Sequence, residues 1–156
     1  MTNTRINAID RAIASTMTRW GRPALRYSLA LVFVWFGLLK TLGVSPAEEL
    51  VRETVSWMPF FSAGTWVAII GWWEVAVGVL ILSNSTTRIA IALLAGQMVG
   101  TFLPLVLLPD VTFQARGFPY ALTMEGQYIV KNLLIISAAL VIGGGVRDTS
   151  ATSAAR

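Results

Sequence analysis

Four long apolar runs alternate with short polar or amphipathic stretches along this chain, at about 25–43, 63–82, 88–108 and 127–145. At about 1.5 Å of rise per residue, each run in helix is long enough to cross a hydrocarbon core about 30 Å thick. The second run, Ala63 to Leu82, holds twenty residues and a single interior charge, Glu74. A carboxylate that deep in an apolar helix faces a protein interior with a partner in reach, because lipid offers it none. Two further stretches are amphipathic rather than apolar. Ile6, Ile9, Ile13, Met17 and Trp20 recur at helical spacing among Arg5, Arg11, Arg19 and Arg22, the pattern of a basic helix resting on headgroups. A frayed tail with chance periodicity is the plainer reading of residues 1–22. The apolar run that follows is too long for a signal-peptide core, and no A-x-A site follows it.

Residues 46–58 form the second amphipathic stretch. Ser45 is placed as N-cap with Glu48 at the capping-box position and Pro46 at the first helical position. Ala47, Leu50, Val51, Thr54, Val55 and Met58 make the stripe, opposite Glu48, Glu49, Arg52 and Glu53. Too short to span, this helix is expected in the outer interface. The predicted fold class is an all-α integral membrane protein. It is a four-transmembrane-helix bundle with an N-terminal amphipathic helix and a short outer interfacial helix. Its parts are a basic segment at 1–22, the transmembrane domain at 23–146 and a polar tail at 147–156.

Composition strengthens the membrane reading. Hydrophobic residues make up 55% of the chain and charged residues 13%, about half the charged share of a soluble domain; the mean hydropathy is +0.67. The 12 Lys and Arg outnumber the 8 Asp and Glu. Most of the Arg residues flank apolar runs, which speaks for lipid contact and against nucleic acid. Positive residues flank cytoplasmic ends of spans. With the N-terminus inside, Arg5, Arg11, Arg19, Arg22, Arg26, Arg88, Arg147 and Arg156 are cytoplasmic, and only Arg52 and Arg116 lie in the outer connections. Both termini are thus expected in the cytoplasm of a multi-pass protein. Cysteine and histidine are absent. This excludes disulfides, thiol redox chemistry, thiolate iron–sulfur ligation and His-bound haem or zinc within the chain, and no metal site is expected.

The polar residues inside the runs are the candidates for chemistry. Phe33, Phe36, Gly37 and Lys40 share one face of the first run, and Gly71, Glu74 and Gly78 one face of the second. Gln97, Gly100, Thr101 and Pro104 share a face of the third, and Tyr128, Lys131, Asn132 and Ile135 a face of the fourth. Depth arithmetic puts Glu74 roughly 18 Å below Ser62, Gln97 almost level with it, and Lys131 roughly 8 Å down from the same side. Lys40 lies near the outer end of its run. A Lys reaching down and a Glu reaching up then meet, and whether that Lys is Lys40 or Lys131 stays open. One reading of the cluster is structural: an ion pair fixing helix register, with Gln97 hydrogen-bonding across helices. The other is a binding pocket, in which two lysines around one Glu leave surplus positive charge for an anionic or carbonyl-bearing ligand. Trp35, Trp72, Trp73 and Tyr128 would wall it, although a Trp in such a protein is usually an interface anchor.

Taken in order, these pieces resemble the DoxX-like family of small four-helix bacterial membrane proteins. The resemblance rests on Phe33 to Lys40, Gly71-Trp72-Trp73-Glu74 with Gly78, Gly100-Thr101-Phe102-Leu103-Pro104, and Glu125 to Asn132. That family takes its name from a subunit of a thiosulfate:quinone oxidoreductase, and relatives are linked to membrane-associated oxidoreductase complexes. The resemblance therefore implies a protein of the bacterial cytoplasmic (inner) membrane, acting as the membrane subunit of a redox complex. It would work beside a partner redox protein, or as a homo-oligomer, in the lipid bilayer. A quinone would occupy the cavity lined by Lys40, Glu74, Gln97, Thr101, Lys131, Trp35, Trp73 and Tyr128, and any redox cofactor would belong to the partner. If there is chemistry in this chain, Glu74 is its proton acceptor or relay. A small transporter or channel for an anionic or polar metabolite, and an assembly protein without a ligand, are the alternatives.

Overall fold

The computed structural model describes residues 2–154, with side chains described for 6–145. Four stretches, Ile6–Thr41, Ala63–Leu80, Thr87–Leu107 and Met124–Gly145, are helical and apolar enough to cross a membrane. The protein is an all-α membrane bundle.

Helix α1, Thr2–Thr41, is continuous. The boundary expected at residue 22 is absent, because Pro23 sits inside the helix and does not break it. A proline removes one backbone donor but still accepts helical φ, and the neighbouring turns carry the helix through. The stripe Ile6, Ile9, Ile13, Met17 and Trp20 is exposed along its N-terminal half. The helix ends at Gly43, whose φ of +69° allows Val44 N–H to bond Leu39 C=O and Gly43 N–H to bond Lys40 C=O. Both are the bonds of a Schellman stop.

The amphipathic helix is shorter than its stripe implied: α2 is Glu48–Val55. Ser45 does not cap it. Its Oγ accepts from Ala47 N–H in the preceding turn, and Glu48 binds Arg52 one turn on instead of closing a capping box. Helix α3, Ala63–Leu80, is capped by Ser62, whose side chain accepts from Thr65 N–H. The third span is interrupted at Leu103, just before Pro104, which lacks a backbone donor, giving α4, Thr87–Phe102, and α5, Pro104–Leu107. The connection expected to be loop carries a single turn, α6, Pro109–Thr112, and pairs Phe113 with Leu122. Thr123 Oγ1 donates to Val111 C=O and so ties this connection to the next span. That span is α7, Met124–Lys131, and α8, Leu133–Ala154. Between them, the Asn132 side chain donates to the carbonyls of Tyr128 and Ile129. The tail expected at 147–156 continues α8 to Ala154, and Arg147 and Arg156 lie outside the described side chains.

Helices α1 and α3 pack most extensively, then α3 with α4, and α8 closes the ring against α1 and α4. The first contact is backbone on backbone. A Cβ on Gly37 would fall 2.6 Å from Gly71 O, one on Gly71 2.7 Å from Gly37 O, and one on Gly78 2.9 Å from Ala30 O. Near the α3–α4 turn, Leu29, Ala30, Phe33, Val77, Ile81, Ala90, Leu94, Met98, Ala138, Ala139 and Ile142 form a dense core. Towards the end that bears α2, the bundle opens around a cavity.

Candidate functional site

The glycine contact sets the site. Gly37 and Gly71 each stand three residues before the residue that matters, Lys40 and Glu74. Side chains on a helix lean toward its N-terminus. In an antiparallel pair that lean carries Lys40 away from the α2 end and Glu74 toward it, so the two converge. Lys40 Nζ lies 2.7 and 2.5 Å from the two Glu74 oxygens. Gln97 on α4 completes the group, its Nε2 donating to Glu74 Oε1 at 2.7 Å. Thr101 Oγ1 donates to Gln97 C=O, one turn along α4. Glu74 is 9% exposed. Three donor contacts from two helices meet the carboxylate that the apolar run left without water.

This cluster forms one wall of a cavity of about 570 Å³. Phe33 and Phe36 of α1, Ile69, Ile70 and Trp73 of α3, and Ile129 and Ile135 of the fourth span make it largely apolar. Leu50, Val51, Thr54 and Val55 of α2, with Met58 just beyond it, roof it. Gly96 and Gly100 leave its α4 wall shallow, and a Cβ on Gly100 would meet nothing within 4 Å. Trp73 is anchored by its indole N–H to Leu93 C=O at 3.0 Å. Two buried polar atoms of lining residues lack a partner, Gln97 Oε1 and Trp66 Nε1.

Of the residues singled out in the sequence, Lys40, Glu74, Gln97, Thr101, Trp73 and Tyr128 line this cavity. Lys131 does not. Ile129 and Asn132 set the inward face of α7, a rotation that puts Lys131 on the exposed side with its Nζ 5.2 Å from the centre of the Tyr128 ring. The surplus positive charge expected from two lysines is therefore absent: one Lys meets one Glu. Trp35 and Trp72 are each 60% exposed and lie outside the cavity, as interface or lipid-facing indoles do. Trp66 was not anticipated. Its only signal was a Trp in the first turn of an apolar helix, beneath an amphipathic helix able to cover it.

The model of the DoxX family matches residues 21–107. The chain belongs to the DoxX family. The DoxX match takes in the C-terminal half of α1 and all of α2 to α5, and with them Lys40, Glu74, Gln97 and Thr101. Tyr128 and the α7 wall, read in the sequence as part of the same pattern, lie beyond it. No curated protein and no solved structure matches the chain. Among the described residues, no group of three or more His, Cys, Asp or Glu is placed to hold a metal.

Proposed function

We propose that this DoxX-family protein is the membrane subunit of a redox complex and that its cavity receives the head group of a quinone. The carrying observation is a neutral polar cluster, Lys40–Glu74–Gln97, at one wall of an otherwise apolar chamber large enough for a substituted ring. Charge balance favours an uncharged ligand over the anionic one that two lysines would have suited. The dense core around Val77 and Ile81 fills the bundle beyond the cluster, which favours a blind pocket over a conduit. A route from the bilayer is also supported. Helix α1 packs on α3 and α8 with no comparable seam to α7, while Val32 and Phe36 on one side and Tyr128 on the other both line the cavity and are exposed. A lipid-dissolved ligand would enter sideways, under the α2 roof.

In this reading the chain binds and orients while electrons pass through a partner's cofactor, since Cys and His are absent. Glu74 and Lys40 are the groups placed to hold a proton at the ligand. The arginine distribution supports an orientation with both termini in the cytoplasm and α2 on the outer side, and the reading takes the membrane to be the bacterial inner membrane. The test is extraction of the native protein in mild detergent, with identification of co-purifying quinones and proteins, beside a Gly100→Phe variant that fills the chamber. Near-stoichiometric quinone with wild type, its loss from Gly100→Phe, and a flavin- or metal-bearing partner are the expected results. Absence of quinone from a folded wild type would overturn the ligand assignment, and absence of a redox partner would overturn the complex.

A further inference from the structure

The apolar stripe at the start of α1 plays no part in the cavity, and its phase on the helix says what covers it. Ile6, Ile9, Ile13, Met17 and Trp20 are each at least half exposed. The series does not stop where the span begins. Steps of three or four residues carry it on through Ala24 to Tyr27, Leu31, Trp35 and Leu38, all exposed, so the whole set lies along one face of one helix. In the spanning half Leu29, Ala30 and Phe33 sit in the core and Gly37 packs on α3, which leaves the stripe on the side turned to lipid. Its residues there are large, whereas helices that pair inside a bilayer meet through small ones.

Length decides the rest. From Ile6 to Leu38 a helix rises about 48 Å, against a hydrocarbon core of about 30 Å. Counted back from Thr41 at the other end of α1, the core is crossed in about 20 residues and ends close to Gly21. A straight helix would carry five large apolar side chains beyond the core and into water. Gly21 and Pro23 stand at that exit, the only glycine and proline of α1 ahead of Gly37. Pro23 offers no donor to the Arg19 carbonyl, and a Cβ on Gly21 would meet nothing within 4 Å; helices kink at such points and both halves stay helical. A bend toward the stripe's own side lays the stripe on the leaflet without turning the helix about its axis. One face then serves both halves. Charge agrees, because Arg11, Arg19 and Arg22 outnumber Asp10 between residues 6 and 22, which suits a surface of anionic headgroups. The Arg19 guanidinium lies over the Trp20 ring, 5.7 Å from its centre, a pairing fitted to the headgroup level. We propose that residues 6–20 form a surface arm: α1 bends at Gly21–Pro23, and the stripe from Ile6 to Trp20 docks on the bilayer surface at the N-terminal end of the span. The inference is independent of the quinone reading.

The experiment uses the full chain, which has no cysteine of its own, in vesicles of mixed phosphatidylcholine and phosphatidylglycerol. A nitroxide label is placed at Ile13→Cys on the stripe or at Ser15→Cys on the opposite face of the helix. Its relaxation by oxygen, which concentrates in lipid, is compared with relaxation by a water-soluble nickel chelate present on both sides of the vesicle. The expected result is an oxygen-to-nickel ratio several-fold higher at 13 than at 15. Ile9→Glu together with Met17→Glu should abolish that difference by admitting nickel at 13. Nickel access at 13 in the chain that keeps Ile9 and Met17 overturns the proposal, because the helix then projects straight into water. Shielding of 13 from both reagents also overturns it, because a second copy of the chain then covers the stripe. An oxygen preference at 13 that survives the double substitution removes the stripe as the docking face. Ile13 and Ser15 are both exposed, so either label leaves the bundle core intact and a null result counts against the proposal.

Discussion

Lys40 and Glu74 stand on different helices, 34 residues apart in the chain, and each would be an isolated charge in an apolar setting without the other. Side chains of both are about nine-tenths buried, so the pair is worth little against apolar replacements but a great deal against the loss of one member. Lys40→Met strands the carboxylate with Gln97 alone and is expected to cost about 3–5 kcal/mol. Lys40→Met with Glu74→Gln removes the stranded charge and should recover most of that. Thermal unfolding of the single and double variants in detergent checks it; a coupling under about 1 kcal/mol would mean that the pair is solvated. If the cavity is a site, the double variant is stable and no longer binds its ligand. If the pair only fixes register, ligand binding by the double variant is unaffected.

At the scale of elements, the α1–α3 contact decides whether that pair can exist. The carbonyls of Gly37 and Gly71 lie where a Cβ at the other position would go, so a larger residue must push the helices apart. Gly71→Val is expected to lower stability by about 1–3 kcal/mol and to separate Lys40 from Glu74. Gly100→Ala, which points into open space, should be close to neutral. Comparing the two in thermal unfolding distinguishes loss of this particular contact from a general cost of replacing glycine in the bundle. Helix α2 makes a second, independent prediction. Thr54 and Val55 are buried against the bundle although the helix is too short to span. Val55→Glu places a charge under the roof and should release α2 without unfolding the rest. Hydrogen exchange should then show lost amide protection over 48–55 with α3 and α4 unchanged. Unprotected amides there in the wild type would remove α2 as a cover.

The whole molecule is asymmetric along its long axis. One end is a filled core around Val77, Ile81 and Ala90; the other carries the cavity, α2 and the connection from α5 to α7. The proposed orientation places the filled end inside, following the arginines. Topology reporters inserted at Asn84 and after Ala154 should report the cytoplasm, and insertions at Glu53 or Arg116 the outer face. A C-terminal reporter on the outer face would sink the orientation and the arrangement of spans together.

Four spans, their approximate limits and the amphipathic α2 were legible in the sequence because each depends on local pattern. A run of about twenty apolar residues, or a stripe at helical spacing, means the same wherever the helix comes to rest. The need of Glu74 for a buried partner was legible for the same reason: a charge in an apolar run states its own cost. Which lysine answers it was not. By depth arithmetic Lys131 lies the deeper and Lys40 nearer the outer end, with both in reach of Glu74, and the choice rests on the rotation of each helix about its axis. The Gly37–Gly71 contact turns Lys40 inward, whereas the packing of Ile129 and Asn132 turns Lys131 out. The charge of the cavity, the orphaned oxygen of Gln97 and the part played by Trp66 follow from those rotations. Local pattern sets what a helix is and which residues share its face; only packing among helices decides which way that face looks.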